Sequence, residues 1–108
     1  MAIESIRMSY ADLELKIIRW GEERGIVQNS TPSAQAKKTL EELDELYAAI
    51  RTVNREAMID AYGDILVTLI MGCACADLDL TECLEHAYNQ IKDRKGYLTP
   101  EGIFVKSA

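Results

Sequence analysis

The chain is poor in aromatic side chains, histidine, proline and positive charge, and each shortage excludes something. Aromatics make up 6% of the 108 residues against a hydrophobic share of 48%. That balance favours aliphatic helix packing over a β-sandwich. Lys and Arg number 12 against 18 Asp and Glu, a net charge of −6. A protein that grips a nucleic-acid backbone needs a basic face, so a polymer partner is excluded. Free nucleotides are not, because a bound cation can invert the local field. The single histidine, His86, has no Glu-x-x-His spacing around it, which disfavours a dinuclear carboxylate redox centre and leaves His86 as surface or satisfied core. Cys73, Cys75 and Cys83 are odd in number. Cys73-x-Cys75 has no second ligand pair after it, so a zinc site is disfavoured and apolar packing is expected for the thiols. Met1-Ala2-Ile3-Glu4-Ser5 lacks a basic-then-apolar signal pattern. With reduced thiols, this gives a cytoplasmic expectation. The longest apolar run, 65–76, is interrupted by Thr68 and Gly72 and is too short for a bilayer, so it reads as a buried helix.

What is present is helical periodicity. The length suits one domain over 1–108. Its core would be modest, so partner helices from a second copy would complete it. Ile3, Ile6 and Met8 start a helix or lead into one. Ser9 with Asp12 marks a helix start. Leu13, Ile17, Trp20 and Arg24 then share a face, with Ile18 beside them, and Gly25 stops this helix, over about 9–24. Residues 25–32 read as a loop. Thr31-Pro32 starts a second helix that runs to about Val53. Its apolar stripe is Leu40, Leu43, Leu46, Tyr47, Ile50 and Val53, and Lys37 and Lys38 stand one turn before Glu41 and Glu42. Asn54 caps a third helix to about Cys75, apolar nearly all round after Asp64 and therefore the most buried. Gly63 and Gly72 within it suit close approach of another backbone. Asp79 and Glu82 form a capping box before a fourth helix to about Lys95, with Leu84, Ala87, Tyr88 and Ile91 inside. The tail turns around Pro100 and Gly102 between short β-prone segments. The fold class is all-α, a four-helix bundle with a short C-terminal β-like hairpin or extended tail.

The chemistry lies in the acids. Glu41 and Glu45 are i,i+4 and Glu42 and Glu45 are i,i+3, so all three can share one ligand sphere. Asp44 points away. Asp60 and Asp64 stack on the third helix. Aspartate is a poor mid-helix residue, and Asp64 leads straight into Ile65-Leu66-Val67. Antiparallel packing would set the two acid groups opposite each other, which suits Mg²⁺ or Mn²⁺, cations that take carboxylates and water. The competing readings are a solvated acidic surface, or structural ion pairs to Arg51 or Arg55. Tyr47, Tyr62 and Tyr88 read as core side chains with wet hydroxyls.

Taken together, these segments resemble the MazG-like all-α nucleoside triphosphate pyrophosphohydrolases, most of all the compact phage-type members. The likeness rests on Trp20-Gly-Glu-Glu-Arg24-Gly-Ile and the Glu41-Glu42-x-x-Glu45 box. It rests also on Asp60-Ala-Tyr-Gly-Asp64-Ile-Leu-Val, on Ala87-Tyr-Asn89-Gln-Ile-Lys92-Asp-Arg94-Lys95-Gly96 and on Gly102-Ile-Phe-Val-Lys106. The family's second box is Glu-x-x-Asp, and its Glu position holds Ala61 here, so Asp60 is asked to stand in. The resemblance implies Mg²⁺-dependent hydrolysis of NTPs, dNTPs foremost, to monophosphate and pyrophosphate, with Mn²⁺ as the substitute metal. Glu42, Glu45 and Asp64 would be ligands, Glu41 a ligand or the base, and Asp60 an auxiliary ligand. The base stays open between Glu41 and Glu42. Asn89 and Lys92, then Arg94 and Lys95, would contact phosphates, their other reading being a basic helix end that complements the dipole. Trp20 would stack on a base or sit in the core. The assembly would be a homodimer or homotetramer away from any membrane. The rival function is a non-catalytic helical oligomerisation or interaction module that keeps its acidic boxes as surface.

Overall fold

The computed structural model describes residues 7–107. Ile3 and Ile6, read above as leading into a helix, lie outside them. The elements are α1 (Tyr10–Glu23), α2 (Ile26–Asn29), α3 (Pro32–Arg51), α4 (Arg55–Cys75), α5 (Leu80–Ile91), β1 (Gly96–Leu98) and β2 (Phe104–Lys106).

Each long helix begins on a side-chain cap that satisfies one orphan N–H, a contribution of about 1 kcal/mol apiece. Ser9 Oγ accepts from the Asp12 N–H at 3.1 Å, Thr31 Oγ1 from Ala34 at 3.0 Å, Asn54 Oδ1 from Ala57 at 3.1 Å and Asp79 Oδ1 from Glu82 at 2.7 Å. α1 and α4 end within a residue of expectation, and α3 and α5 end early. α3 stops at Arg51 rather than Val53. The Val53 N–H donates to Ile50 O at 3.1 Å and the Asn54 N–H to Ala49 O at 3.0 Å. This is the two-bond closure that usually places glycine in the left-handed position; here Val53 holds it, at φ 50. α4 closes identically, with Asp77 (φ 59) donating to Ala74 O and Leu78 to Cys73 O. α5 ends at Ile91, four residues early, because the chain turns at Arg94 and enters the hairpin. The loop at 25–32 contains the one-turn α2. It is held by side-chain amides, Gln28 to Glu22 O at 3.2 Å and Asn29 to Gly25 O at 2.8 Å, which periodicity does not reveal.

α3 and α4 form an antiparallel hairpin. Gln35 lies against Gly72, the Thr39 and Thr68 hydroxyls bond at 2.7 Å, and the acids of both helices meet near the joint. α1 packs on α4 at Gly21, where a Cβ would overlap Met71 Sδ. The buried apolar residues are Leu46, Ala49, Ala61, Ile70 and Met71. Glu14, also buried, reaches from α1 to the start of α5. It accepts from the Leu80 N–H at 3.0 Å and from Thr81 Oγ1 at 2.7 Å. β1 and β2 pair antiparallel, Gly96 opposite Lys106 and Leu98 opposite Phe104.

Several expected core residues are exposed. In the α3 stripe only Leu46 is buried; Leu40, Leu43, Tyr47, Ile50 and Val53 are open. Tyr62 and Tyr88 are exposed, and so are Leu84 and Ile91 of α5. α4 buries one side only, leaving Ile59, Leu66 and Leu69 accessible. Nothing approaches Gly63. The apolar stripes exist, but the neighbours this chain supplies, α4 for α3 and α3 with α1 for α4, leave part of each uncovered. By length and apolarity α4 would reach across a bilayer, although a core helix passes the same test.

Candidate metal centre

Near the joint the α3–α4 seam is built of small residues. Ala48, Ala49, Ala57 and Ala61 leave a cleft of 440 Å³ between the helices, walled by Glu42 and Glu45 from α3 and by Asp60 and Asp64 from α4. Thr52 completes the lining; its hydroxyl donates back to Ala48 O at 2.9 Å and Ala49 O at 3.3 Å. Ala61, where the Glu of the second box was expected, is buried in the cleft wall, and Asp60 beside it lines the same space.

Glu42 is the buried member, 7% exposed. A hydrogen bond to Glu45, loss of hydration and the charge of Glu45 raise its pKa above the usual carboxylate range, while Lys38 opposes the shift. Two carboxylates this close in a partly dry site want a proton or a cation between them. The Lys38 ammonium lies 3.5 Å from both Glu42 Oε1 and Glu41 Oε1, and Glu41 and then Glu42 push its pKa up. Asp60 and Asp64 are exposed on the opposite wall. Among the described residues neither is bridged to Arg51 or Arg55, and the only ion pairs are Arg24–Glu23 and those of Lys38. Four hard oxygen donors around one cleft fit a Mg²⁺-type ion by chemistry. As the side chains stand, no three acids among the described residues converge tightly enough to hold one. The donors face each other as two pairs.

The other predicted residues lie apart from the cleft. Glu41 is absent from its lining and is engaged by Lys38. Trp20 is 39% exposed beneath the Arg24 guanidinium, 4.9 Å from the ring centroid. Asn89, Lys92, Arg94 and Lys95 are exposed at the end of α5 and just beyond it, and none lines the cleft. His86 is exposed. Sequence reading missed the alanine floor and Thr52. The signal was present, since Ala48, Ala49, Ala57 and Ala61 recur on the faces that carry the acids.

The model of the MazG nucleotide pyrophosphohydrolase domain matches residues 30–99. The chain belongs to the MazG family. The match contains α3, α4, α5 and β1, hence all four cleft acids and the basic residues Lys92, Arg94 and Lys95 that follow α5. α1 with Trp20, and β2, fall outside it. The family's activity is that of a hydrolase, nucleotide pyrophosphohydrolysis. One curated relative is the "uncharacterized 18.2 kDa protein in rep-hol intergenic region" of Haemophilus phage HP1, 33% identical over 55 residues. Those residues are 51% of this MazG-family chain and 34% of the phage protein, so the match spans about a third of that relative's length. No solved structure matches.

Proposed function

We propose that this MazG-family chain hydrolyses nucleoside triphosphates, dNTPs foremost, to monophosphate and pyrophosphate, using Mg²⁺ (or Mn²⁺) held by Glu42, Glu45, Asp60 and Asp64. The observation that carries this is the cleft itself, where two acid pairs on facing helices wall one space and the buried Glu42 lies against Glu45. Such a cation, when bound, neutralises phosphate charge and acidifies water. The chain's own contribution is four carboxylates carried as two pairs on facing helices, which would draw in around the ion. Glu42 faces the space where phosphate would sit and is the better-placed proton acceptor. Glu41 would have to leave Lys38 to join it.

The same reading includes a homodimer or homotetramer. The chain exposes 8579 Å², whereas a folded monomer of 12.1 kDa exposes about 6,000 Å². The radius of gyration is 16.5 Å, against about 13 Å for a compact chain of this length. The excess is on the scale of an obligate interface, and the exposed apolar side chains of α3, α4 and α5 supply it. Asn89, Lys92, Arg94 and Lys95 then reach phosphate only if α5 closes over the cleft or a neighbouring copy presents it.

The test is a panel of NTPs and dNTPs with Mg²⁺, read by pyrophosphate and monophosphate release. Glu45→Ala and Asp64→Ala should each lower the rate by about a hundredfold or more. Absence of turnover on every nucleotide, with assembly in sedimentation unchanged by either substitution, would sink the enzyme reading in favour of the interaction module.

A further inference from the structure

Lys38, Glu42, Glu45 and Ala49 follow one another at helical spacing on a single stripe of α3. Glu42, Glu45 and Ala49 line the cleft, and Lys38 stands one turn beyond its end. Thr39, the next residue, pins this turn to α4 through its 2.7 Å bond to Thr68. The Lys38 ammonium lies 3.5 Å from Glu41 Oε1 and 3.5 Å from Glu42 Oε1. It therefore ties the buried acid of the cleft to Glu41, the acid of the box that stands outside it. Lys37 also precedes Glu41 by one turn, yet among the described residues it makes no ion pair. Among those residues, too, no three acids converge on one point. Lys38 accounts for part of that, because Glu41 is drawn to its ammonium and one Glu42 oxygen is engaged by the same group. An ammonium and a divalent ion are alternative cations for the same carboxylate oxygens.

We propose that Lys38 is a positioning residue of the acid box, a resident cation that holds Glu41 outside the cleft and has to be displaced before Glu41 and Glu42 can serve a divalent ion together. The inference rests on the proposed metal centre and assigns a state to the metal-free chain. The Lys38 side chain is 53% exposed, so its long stem can swing the ammonium into water without leaving the helix. Glu41 is then free to turn inwards, and the box gains a third carboxylate from α3. The attraction of the ammonium for both acids is lost in that step and is subtracted from the metal affinity. Lys38 thus balances part of the box's charge while no ion is present, and it sets how readily one enters.

The experiment titrates the full chain with Mn²⁺ in the absence of nucleotide and reads free Mn²⁺ by electron paramagnetic resonance. Lys38→Met should bind Mn²⁺ about two- to tenfold more tightly than wild type. Lys38→Arg, which keeps the cation, should stay near wild type. Lys37→Met separates competition from a general field effect and should change the affinity by less than about twofold. Glu41→Gln should weaken Mn²⁺ binding more in the Lys38→Met background than in wild type, because only there is the full value of Glu41 as a donor available. Equal or weaker binding by Lys38→Met, an equal gain from Lys37→Met, or the same loss from Glu41→Gln in both backgrounds would each overturn the role of Lys38 and leave the metal centre standing. Absence of Mn²⁺ binding by wild type and every variant would sink the metal centre and this role together.

Discussion

Between Pro32 and Cys75 two helices bury Leu46, Ala49 and Ala61, and α4 buries Ile70 and Met71 on the side where α1 packs. From Leu80 to Lys106 no residue is buried, although Leu84, Tyr88, Ile91, Tyr97, Leu98 and Phe104 are as apolar as anything in the seam. The two regions are made of similar residues, and only one is covered well enough to bury them. The four cleft carboxylates stand on the helices of the packed half, Glu42 buried and the other three exposed. The polar and basic group at Asn89–Lys95 stands on the half in which no residue is buried. The division sets the acids and the cations of this MazG-family chain apart. Under the proposed function, assembly or closure would have to bring the cations to the cleft.

The largest expected effect breaks that comparison directly. Ile70 is 2% exposed, and Ile70→Ala should cost about 2–5 kcal/mol through the lost methyl contacts and the cavity left behind. Leu84→Ala, at 62% exposure, should cost less than about 1 kcal/mol if α5 is uncovered in solution. Urea denaturation of both variants at several protein concentrations measures this. Equal costs that grow with concentration would show that α5 is packed by a second copy.

Next in size is the link between the halves. Glu14 is buried and accepts from the Leu80 N–H and the Thr81 hydroxyl. Glu14→Ala leaves both donors without a partner and should cost about 1–3 kcal/mol. Hydrogen exchange should then rise first in α5, and in α3 little. Exchange spread evenly over both halves would mean that the bond is not what joins them.

The same division explains what could be read from the residues alone. Caps are local chemistry, so Ser9, Thr31, Asn54 and Asp79 all announced their helices. The acid pairs were legible because i,i+3 and i,i+4 spacing fixes which side chains share a face. Burial was not legible in α3. The stripe Leu40, Leu43, Tyr47, Ile50 has the right period, but period says only that a face is apolar, not whether this chain covers it. Glu14 escaped because its partners are more than sixty residues away. Val53 escaped because a β-branched residue argues against the left-handed conformation that it holds.

A smaller effect tests the acidic wall. In the metal-free protein the pKa of Glu42 is raised, by the hydrogen bond to Glu45 first and by lost hydration next. The folded state therefore binds this proton more tightly than the unfolded chain does. The associated stability is fully present below the unfolded value near 4.5 and is lost as pH rises through the higher folded value. Glu42→Gln removes the titration and lets the amide donate to Glu45. The variant should melt above wild type at pH 7, and the difference should close towards pH 4. Added Mg²⁺ should raise the wild-type midpoint and leave the variant's nearly unchanged, since only a protein that binds the ion gains from it. A variant that melts lower at pH 7 without metal would show that Glu42 is held as a favourable partner of Lys38 rather than strained against Glu45.

The smallest effect lies at the joint that sets the mouth of the cleft. Val53 and Asp77 occupy the same left-handed position in identical two-bond closures, at φ 50 and φ 59. The left-handed conformation costs an ordinary L-residue about 1–2 kcal/mol, whereas Asp adopts it through local hydrogen bonding. Val53 is 85% exposed, so no packing offsets its strain. Val53→Gly relieves the strain but lends the unfolded chain freedom worth about 0.5–1 kcal/mol, leaving a net gain of about 0–1.5 kcal/mol. Asp77→Gly, with less strain to relieve, should be close to neutral. Thermal melts of the two variants side by side read the difference. A destabilising Val53→Gly would mean that Val53 is covered in the assembled protein, which would place the joint beside the cleft within an interface.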